Sequence, residues 1–157
     1  MSTARISPFY RAVFLWLEPL SILTGAVYAH FLQHTYLTLT HSATAPPTSS
    51  ILVPISTSIV LTQLANLYLG LAILEASILR ASSDVKVWKT FIIALLVADV
   101  GHLYSVRLVG TWVYWQFWHW NAIDWGNVGV VYFLAVTRIC MLSGIGFGGD
   151  EERKKRG

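Results

Sequence analysis

Long runs of apolar residues, separated by short polar segments, dominate the chain. A helix needs about 20 mostly apolar residues to cross the hydrocarbon core of a bilayer. Four runs reach that length, and they cover residues 12–32, 51–79, 88–109 and 127–147. We therefore predict a single transmembrane domain over residues 1–157, folded as an all-α integral membrane four-helix bundle.

The polar segments between these runs differ in character. Residues 41–50 include a Pro-Pro pair and predict a turn-forming linker, and residues 81–84 predict a tight turn. Residues 111–125 contain five tryptophans. Because amphipathic rings settle at the headgroup level of a bilayer, we expect this Trp-rich loop to lie at the interface. A lid over a cavity is the alternative.

The composition supports a membrane protein. Only 12% of the residues are charged and 55% are hydrophobic, whereas a soluble domain has about 25% charged residues. This excludes a disordered tail and an ordinary water-soluble enzyme. The single cysteine, Cys140, excludes an internal disulfide and a multi-cysteine metal site.

The distribution of basic residues predicts an orientation. One side of the predicted bundle carries Arg5, Arg11, Arg80, Lys86, Lys89, Arg153, Lys154, Lys155 and Arg156, and the other carries only Arg107. The positive-inside rule then places both termini in the cytosol. The basic tail at residues 150–157 resembles a dilysine retrieval signal, so we expect a multi-pass protein of the endoplasmic reticulum membrane. Basic charge at membrane flanks indicates contacts with membrane lipids and argues against nucleic-acid binding.

Every predicted span carries polar groups at a similar depth in the bilayer. Ionisable side chains inside a membrane are costly, and they usually face a bundle interior or a wet cavity. Counting about 1.5 Å of rise per residue brings one set of side chains to a common layer. The set comprises Glu18, Gln63, Asn66, Asp99, His102, Tyr132 and Arg138. We predict that they form one functional site.

The charged residues in this layer point to acid–base chemistry or to an ion pair. Arg138 stays protonated and needs a carboxylate partner, which Asp99 or Glu18 can supply. A neutral acid beside an ionised one is the arrangement required for general acid and general base catalysis. A buried ion pair that fixes helix register is the structural alternative.

Other polar residues outside this layer have simpler interpretations. His30 and His34 are four residues apart and form either a metal-binding pair or two interface histidines. We expect Glu75 to snorkel or pair near Arg80, and Asp124 to cap the fourth helix.

One stretch of the first span carries a resemblance to a known family. Residues 9–31 read FYRAVFLWLEPLSILTGAVYAHF. The aromatic-Arg start, the Glu-Pro pair and the following Gly-Ala resemble small four-span membrane proteins of fungal secondary-metabolite pathways. The likeness extends more loosely to the Asp-x-x-His of the third span. A more distant likeness is to the sterol isomerase and sigma-2 receptor group, whose acidic pattern this sequence does not reproduce closely.

Members of the first family include the membrane epoxide hydrolases of aurovertin- and citreoviridin-type polyketide biosynthesis. The resemblance implies opening of polyene-derived epoxides and formation of cyclic ethers. Limonene-type epoxide hydrolases are soluble and unrelated in fold, but they also use two acids bridged by an Arg, assisted by Asn and Tyr. That likeness is an analogy between sites.

We therefore expect a cofactor-independent epoxide hydrolase or cyclase with a lipophilic substrate. Asp99 or Glu18 protonates the epoxide oxygen, the other carboxylate takes a proton from water or a substrate hydroxyl, and Arg138 bridges them. The predicted positioning residues are His102, Asn66, Gln63, Tyr132 and Tyr28. This chemistry needs no metal, flavin or nucleotide.

Two other functions fit the same sequence. A sterol- or terpenoid-type isomerase or cyclase could act through a carbocation stabilised by carboxylates and by the aromatic faces of Trp16, Tyr28, Tyr68 and Tyr104. A non-catalytic lipid-binding or scaffold protein is the other alternative. The pattern leaves the oligomeric state open, with a homo-oligomer as one arrangement.

Overall fold

The computed structural model describes residues 6–47 and 52–146. In these ranges the chain is helical without any strand, and the main helices are α1 (Pro8–Phe31), α2 (Gln33–Thr40), α3 (Ile55–Ala81), α4 (Val85–Val109) and α5 (Ala122–Leu142). All of them except α2 are long and apolar enough to cross a membrane. The predicted all-α four-helix membrane architecture is confirmed, and the protein is of the multi-pass type.

The spans begin and end up to five residues away from the predicted positions. The shift is largest at α5, because Asn121 caps it: Asn121 Oδ1 accepts hydrogen bonds from the backbone N–H groups of Ile123 and Asp124 at 2.8 and 3.1 Å. Asp124 Oδ2 in turn accepts from the Asn121 N–H at 3.1 Å, which confirms its predicted capping role. Residues 51 and 147 of the predicted spans and the basic tail 150–157 lie outside the described residues.

Pro19 leaves a backbone carbonyl of α1 free to accept a hydrogen bond from α3. Because proline has no N–H, the backbone carbonyl of Leu15 lacks its usual helical donor. Arg80 on α3 supplies that donor, since its Nη2 lies 2.8 Å from the Leu15 carbonyl oxygen. The Arg80 guanidinium also stacks 4.9 Å from the centre of the Trp16 ring. These contacts fasten the two helices next to Glu18.

The core lies between two helix pairs, α1 with α3 and α4 with α5. Its largest members are Tyr10, Phe14, Leu79, Trp88, Ile92 and Met141. The Tyr10 hydroxyl donates to the Ile145 carbonyl oxygen at 2.5 Å. This bond links the start of α1 to the segment that follows α5. Both ends of the described chain therefore lie at the same end of the bundle.

Large apolar side chains cover the outside of the bundle. Leu67, Val97, Val100 and Val136 are each at least 60% exposed. In water such a surface would be unfavourable, whereas lipid tails solvate it well. The exposure pattern therefore agrees with the predicted membrane environment.

The Trp-rich loop forms short 3₁₀ turns at Thr111–Tyr114 and Phe117–His119. Trp115 and Trp118 point outward, with 63% and 66% of their surface exposed. None of the five tryptophans of this loop lines the cavity described below. The arrangement favours interfacial anchoring over a lid.

Candidate active site

Three ionic side chains from three different helices meet in the interior. Arg138 on α5 donates through Nη1 to Asp99 Oδ2 on α4 and through Nη2 to Glu18 Oε1 on α1. Arg138, Glu18 and Asp99 are only 1%, 2% and 8% exposed, respectively. One guanidinium thus bridges two carboxylates, and this is the pairing that the sequence predicted.

A third carboxyl group, Glu75 on α3, joins them. Glu75 is fully buried, and its side chain meets that of Glu18. Glu18 Oε2 and both Glu75 oxygens have no donor among the described residues. Because two ionised carboxylates cannot hydrogen-bond to each other, a proton on one of the two carboxyl groups would supply the missing donor.

The expectation that Glu75 snorkels or pairs near Arg80 is therefore wrong. The Arg80 guanidinium donates a hydrogen bond to the Leu15 carbonyl oxygen, and the Glu75 side chain lies on the opposite, inner side of α3. We refer to Glu18, Glu75, Asp99 and Arg138 as the charged cluster. Its three acids share one guanidinium, so the cluster has more carboxyl groups than cations.

Glu18, Asp99 and Arg138 of the charged cluster border a cavity of about 380 Å³, of the size that holds a small organic ligand. Small residues leave space for it at Gly25, Ala98 and Gly126. The apolar part of the wall includes Ile22, Leu71, Leu95, Val131 and Leu134. The cavity therefore combines an ionic region with an apolar surface.

Tyrosines line the cavity at a distance from the charged cluster. Tyr28 is ten residues beyond Glu18 on α1, which corresponds to about 15 Å along a helix. Tyr36 and Tyr68 also line the cavity, and their hydroxyl groups hydrogen-bond to each other. Burial raises the pKa of the Tyr36 hydroxyl, although its bond with Tyr68 acts in the opposite direction. The cavity thus has an ionic end and a phenolic end.

His102 lines the cavity one helical turn from Asp99, as predicted. Its ring meets the side chain of Asn127, and its Nε2 has no partner among the described residues. Asn127 lies in a π-helical turn of α5, Trp125–Val130. The sequence prediction did not include Asn127, because it selected only side chains at the depth of the ionisable groups.

A second π-helical turn, Val13–Leu17, immediately precedes Glu18 on α1. π-helical turns are rare and often occur at functional sites, because the extra residue re-aims the side chains around it. Here one such turn adjoins Glu18 and the other carries Asn127. Both distortions therefore border the same cavity.

Three of the predicted positioning residues lie away from the cavity. Gln63 and Asn66 are exposed on the outer side of α3, because this helix turns Tyr68 and Glu75 inward. The Tyr132 hydroxyl donates to the Tyr114 carbonyl oxygen at 3.3 Å and braces the Trp-rich loop instead. Their assignment to the site was wrong, whereas Tyr28 does line the cavity.

The predicted aromatic set is likewise divided. Tyr28 and Tyr68 line the cavity, whereas Trp16 and Tyr104 are 63% and 64% exposed on the outside. Tyr36 on α2 was not predicted, because the sequence alone did not show that α2 folds back over the spans. The cavity therefore has a tyrosine-lined end built from three elements.

His30 and His34 do not share a continuous helix. α1 ends at Phe31, and the backbone breaks at Leu32. His34 Nε2 lies 3.1 Å from the Pro46 carbonyl oxygen, whereas the His30 ring packs against Phe31. In the described part of the chain, no three His, Cys, Asp or Glu side chains form a group that could hold a metal ion.

Comparisons with known proteins give one match. No curated protein matches the chain, and no solved structure does. One family model, described as a domain of unknown function, matches residues 3–148. The match covers all four spans and every member of the charged cluster. The chain therefore belongs to the family of the DUF7704 domain.

Proposed function

We propose that this protein is a cofactor-independent enzyme that opens epoxides of a lipophilic, polyketide-type substrate within the membrane. The observation that carries the proposal is the Arg138 guanidinium, which binds both Glu18 and Asp99 at the wall of an apolar cavity. Epoxide opening needs an acid for the ring oxygen and a base for the nucleophile. An apolar cavity additionally limits access of stray water.

The surroundings of the two acids favour one assignment of roles. Glu18 contacts Glu75, and a proton shared between these carboxyl groups makes Glu18 the better proton donor. Asp99 is the more exposed of the two acids, and it lies one turn from His102. We therefore assign Glu18 as the general acid and Asp99 as the general base.

The reaction then balances without any further reagent. The epoxide C–O bond breaks as its oxygen takes the proton from Glu18, and a new C–O bond forms as the nucleophile loses a proton to Asp99. Water as nucleophile produces a diol, whereas a hydroxyl of the same substrate produces a cyclic ether. Arg138 holds both carboxyl groups in place, and proton transfer from Asp99 back to Glu18 completes the cycle.

The remaining polar groups near Asp99 are suited to hold the nucleophile. The His102 ring is fixed by Asn127 and leaves Nε2 without a partner among the described residues. A water or substrate hydroxyl bound to this nitrogen would lie within reach of Asp99. In this proposal His102 and Asn127 orient the nucleophile.

The shape of the cavity restricts the substrate class. Tyr28, at the tyrosine-lined end, lies about 15 Å from Glu18 along α1. An elongated, mostly apolar molecule can place its epoxide at the charged cluster and a carbonyl or hydroxyl oxygen at Tyr36 and Tyr68. The resemblance of residues 9–31 to membrane epoxide hydrolases of fungal polyketide pathways supports the same substrate class, and we therefore propose a role in secondary metabolism.

The cellular location is part of the proposal. We infer an endoplasmic reticulum membrane protein with both termini in the cytosol, on the strength of its basic residues. Lys86, Lys89 and Arg80 flank one end of the bundle, whereas Arg107 is near the other. Replacing Lys154 and Lys155 by serine should release a tagged protein from the reticulum. Unchanged retention would remove the support that these lysines give.

One observation favours a second candidate, an isomerase or cyclase acting through a carbocation. The rings of Tyr28, Tyr36 and Tyr68 line the cavity, and aromatic faces stabilise positive charge. The products distinguish the two reactions. Epoxide opening adds an oxygen nucleophile across a C–O bond, whereas isomerisation shifts a double bond.

The test is product analysis by mass spectrometry in water enriched with heavy oxygen. Membranes containing the protein receive lipophilic polyene epoxides, and we expect a diol or a cyclic ether. Label in the product identifies water as the nucleophile. Asp99→Asn and Glu18→Gln should each lower the rate at least about a hundredfold, the loss typical of removing a general acid or base.

The matched control is Asp84→Asn. Asp84 caps α4 from outside the cavity, and asparagine caps a helix equally well, so this variant should keep full activity. Folding of each variant is checked by abundance and thermal stability in detergent. Absence of turnover across a panel of epoxides by the folded protein would overturn the proposal and favour isomerisation or lipid binding.

A further inference from the structure

Two amide side chains in the middle of the membrane face away from the bundle. Gln63 and Asn66 are exposed on α3, and their side-chain amides make no hydrogen bond with any described residue. Asn66 lies about 3 Å and Gln63 about 8 Å from the middle of the helix, measured along its axis. Both therefore fall within the hydrocarbon core, which extends about 15 Å to either side of the bilayer centre.

These amides belong to one continuous stripe. A helix advances about 100° per residue, so Ile59, Gln63, Asn66, Gly70 and Ile73 lie on one side of α3. We call this stripe the amide face. It is opposite the side that buries Glu75 and lines the cavity with Tyr68. A Cβ atom added at Gly70 would meet nothing within 4 Å, so the backbone is open to a neighbour there.

Lipid tails cannot satisfy the amide face. Hydrocarbon offers neither donors nor acceptors, and polar side chains in spans usually face protein or a wet cavity. Helices that associate in membranes approach closely at small residues and hydrogen-bond across their polar ones. Gly70 and the two amides match this pattern.

We propose that the amide face is the contact surface of a homodimer, in which α3 of one copy packs against α3 of a second copy. Each amide carries both donors and an acceptor, so an identical residue opposite it completes its hydrogen bonds. A two-fold axis beside α3 brings the same stripe of both copies together and closes the assembly. This inference does not depend on the proposed reaction.

Cysteine crosslinking in membranes tests the contact. In a Cys140→Ala background, Ile73→Cys places a thiol on the amide face and Ile93→Cys places one on the outside of α4. The two isoleucines are 56% and 52% exposed, and both lie four or five residues from the middle of their spans, towards the turn that joins them. We expect oxidation to convert Ile73→Cys, but not Ile93→Cys, to a species of twice 17.5 kDa.

A second variant assigns the contact to the amides. Gln63→Leu combined with Asn66→Leu should lower the association constant, read from crosslinking at Ile73→Cys across a series of lipid dilutions, about tenfold or more. Leucine suits both helix and lipid, so the monomer should stay folded. Equal crosslinking of Ile73→Cys and Ile93→Cys, no effect of the leucines, or a product of a different mass would each overturn the homodimer.

Discussion

Glu75 on α3 lies against Glu18 on α1, and neither oxygen of Glu75 has a donor among the described residues. An unpaired carboxylate in this position would carry a large desolvation penalty. A single proton between the two carboxyl groups removes most of that penalty and supplies the missing hydrogen bond. In the proposed enzyme, the same proton is the one delivered to the epoxide.

Glu75→Gln removes the shared proton but keeps a hydrogen-bond donor at this position. The glutamine amide can still donate to Glu18 Oε2, so we expect thermal stability to be kept. Because the amide cannot share a proton, turnover should fall on the order of tenfold to a hundredfold. The pH profile of kcat should also change shape, whereas a purely structural defect would lower kcat equally at every pH. Unchanged turnover would show that Glu75 takes no part.

Arg138→Met leaves the carboxyl groups of the charged cluster without their cation. Removing one partner of a buried ion pair costs about 3–5 kcal/mol, so we expect a marked loss of thermal stability in detergent. Adding Glu18→Gln and Asp99→Asn should recover part of the loss, because the uncompensated charges disappear. Arg107→Met, at an exposed arginine, is the control and should cost less than about 1 kcal/mol. Additive losses in the combined variant would contradict the shared network.

Arg80 and Pro19 should be energetically coupled through the Leu15 carbonyl. Arg80→Met leaves this carbonyl without a donor, at a cost of about 1–3 kcal/mol. Pro19→Ala restores a backbone N–H that can bond to the carbonyl, so Arg80→Met should cost less in that background. A double-mutant cycle of thermal unfolding measures the difference. A coupling energy near zero would mean that the Arg80 contact contributes little.

Gly25→Ala should narrow the cavity. A Cβ atom at Gly25 would lie 3.3 Å from Tyr68 Cε2, so the Tyr68 ring must shift. We expect KM to rise for long substrates while short epoxides are turned over normally. Gly101→Ala is the matched control, since a Cβ atom there meets nothing within 4 Å. It should leave KM unchanged and stabilise α4 by up to about 1 kcal/mol. If Gly25→Ala changed KM by the same factor for long and short substrates, that result would contradict the proposed binding mode.

Depth in the membrane was readable from the sequence, because residues along a helix rise by a constant amount. The convergence of Glu18, Asp99 and Arg138 followed from that count together with the need of a buried arginine for a carboxylate. The side of α3 that faces inward was not readable in the same way. The helix carries polar side chains on both sides, Gln63 and Asn66 on one and Glu75 on the other, so no single amphipathic stripe marks the buried side.

One feature of the α3 sequence does indicate which side of this helix faces inward. Asn66 and Glu75 are nine residues apart, or two and a half turns, and so lie on opposite faces. Only one of them can face the charged cluster. Burying a charged carboxylate in lipid costs more free energy than burying an amide. Glu75 is therefore the residue expected on the inner side of α3.

The sequence by itself determined the number of spans, their approximate limits and the depth of the ionic groups, because bilayer thickness and helix rise are constants. Only the tertiary structure decided how each helix is rotated. It added Glu75 to the charged cluster and Tyr36 and Asn127 to the cavity, and it moved Gln63 and Asn66 to the outside. The physical reason is that rotation depends on packing between helices. In an apolar solvent, hydrophobicity no longer distinguishes the inside of a bundle from its outside.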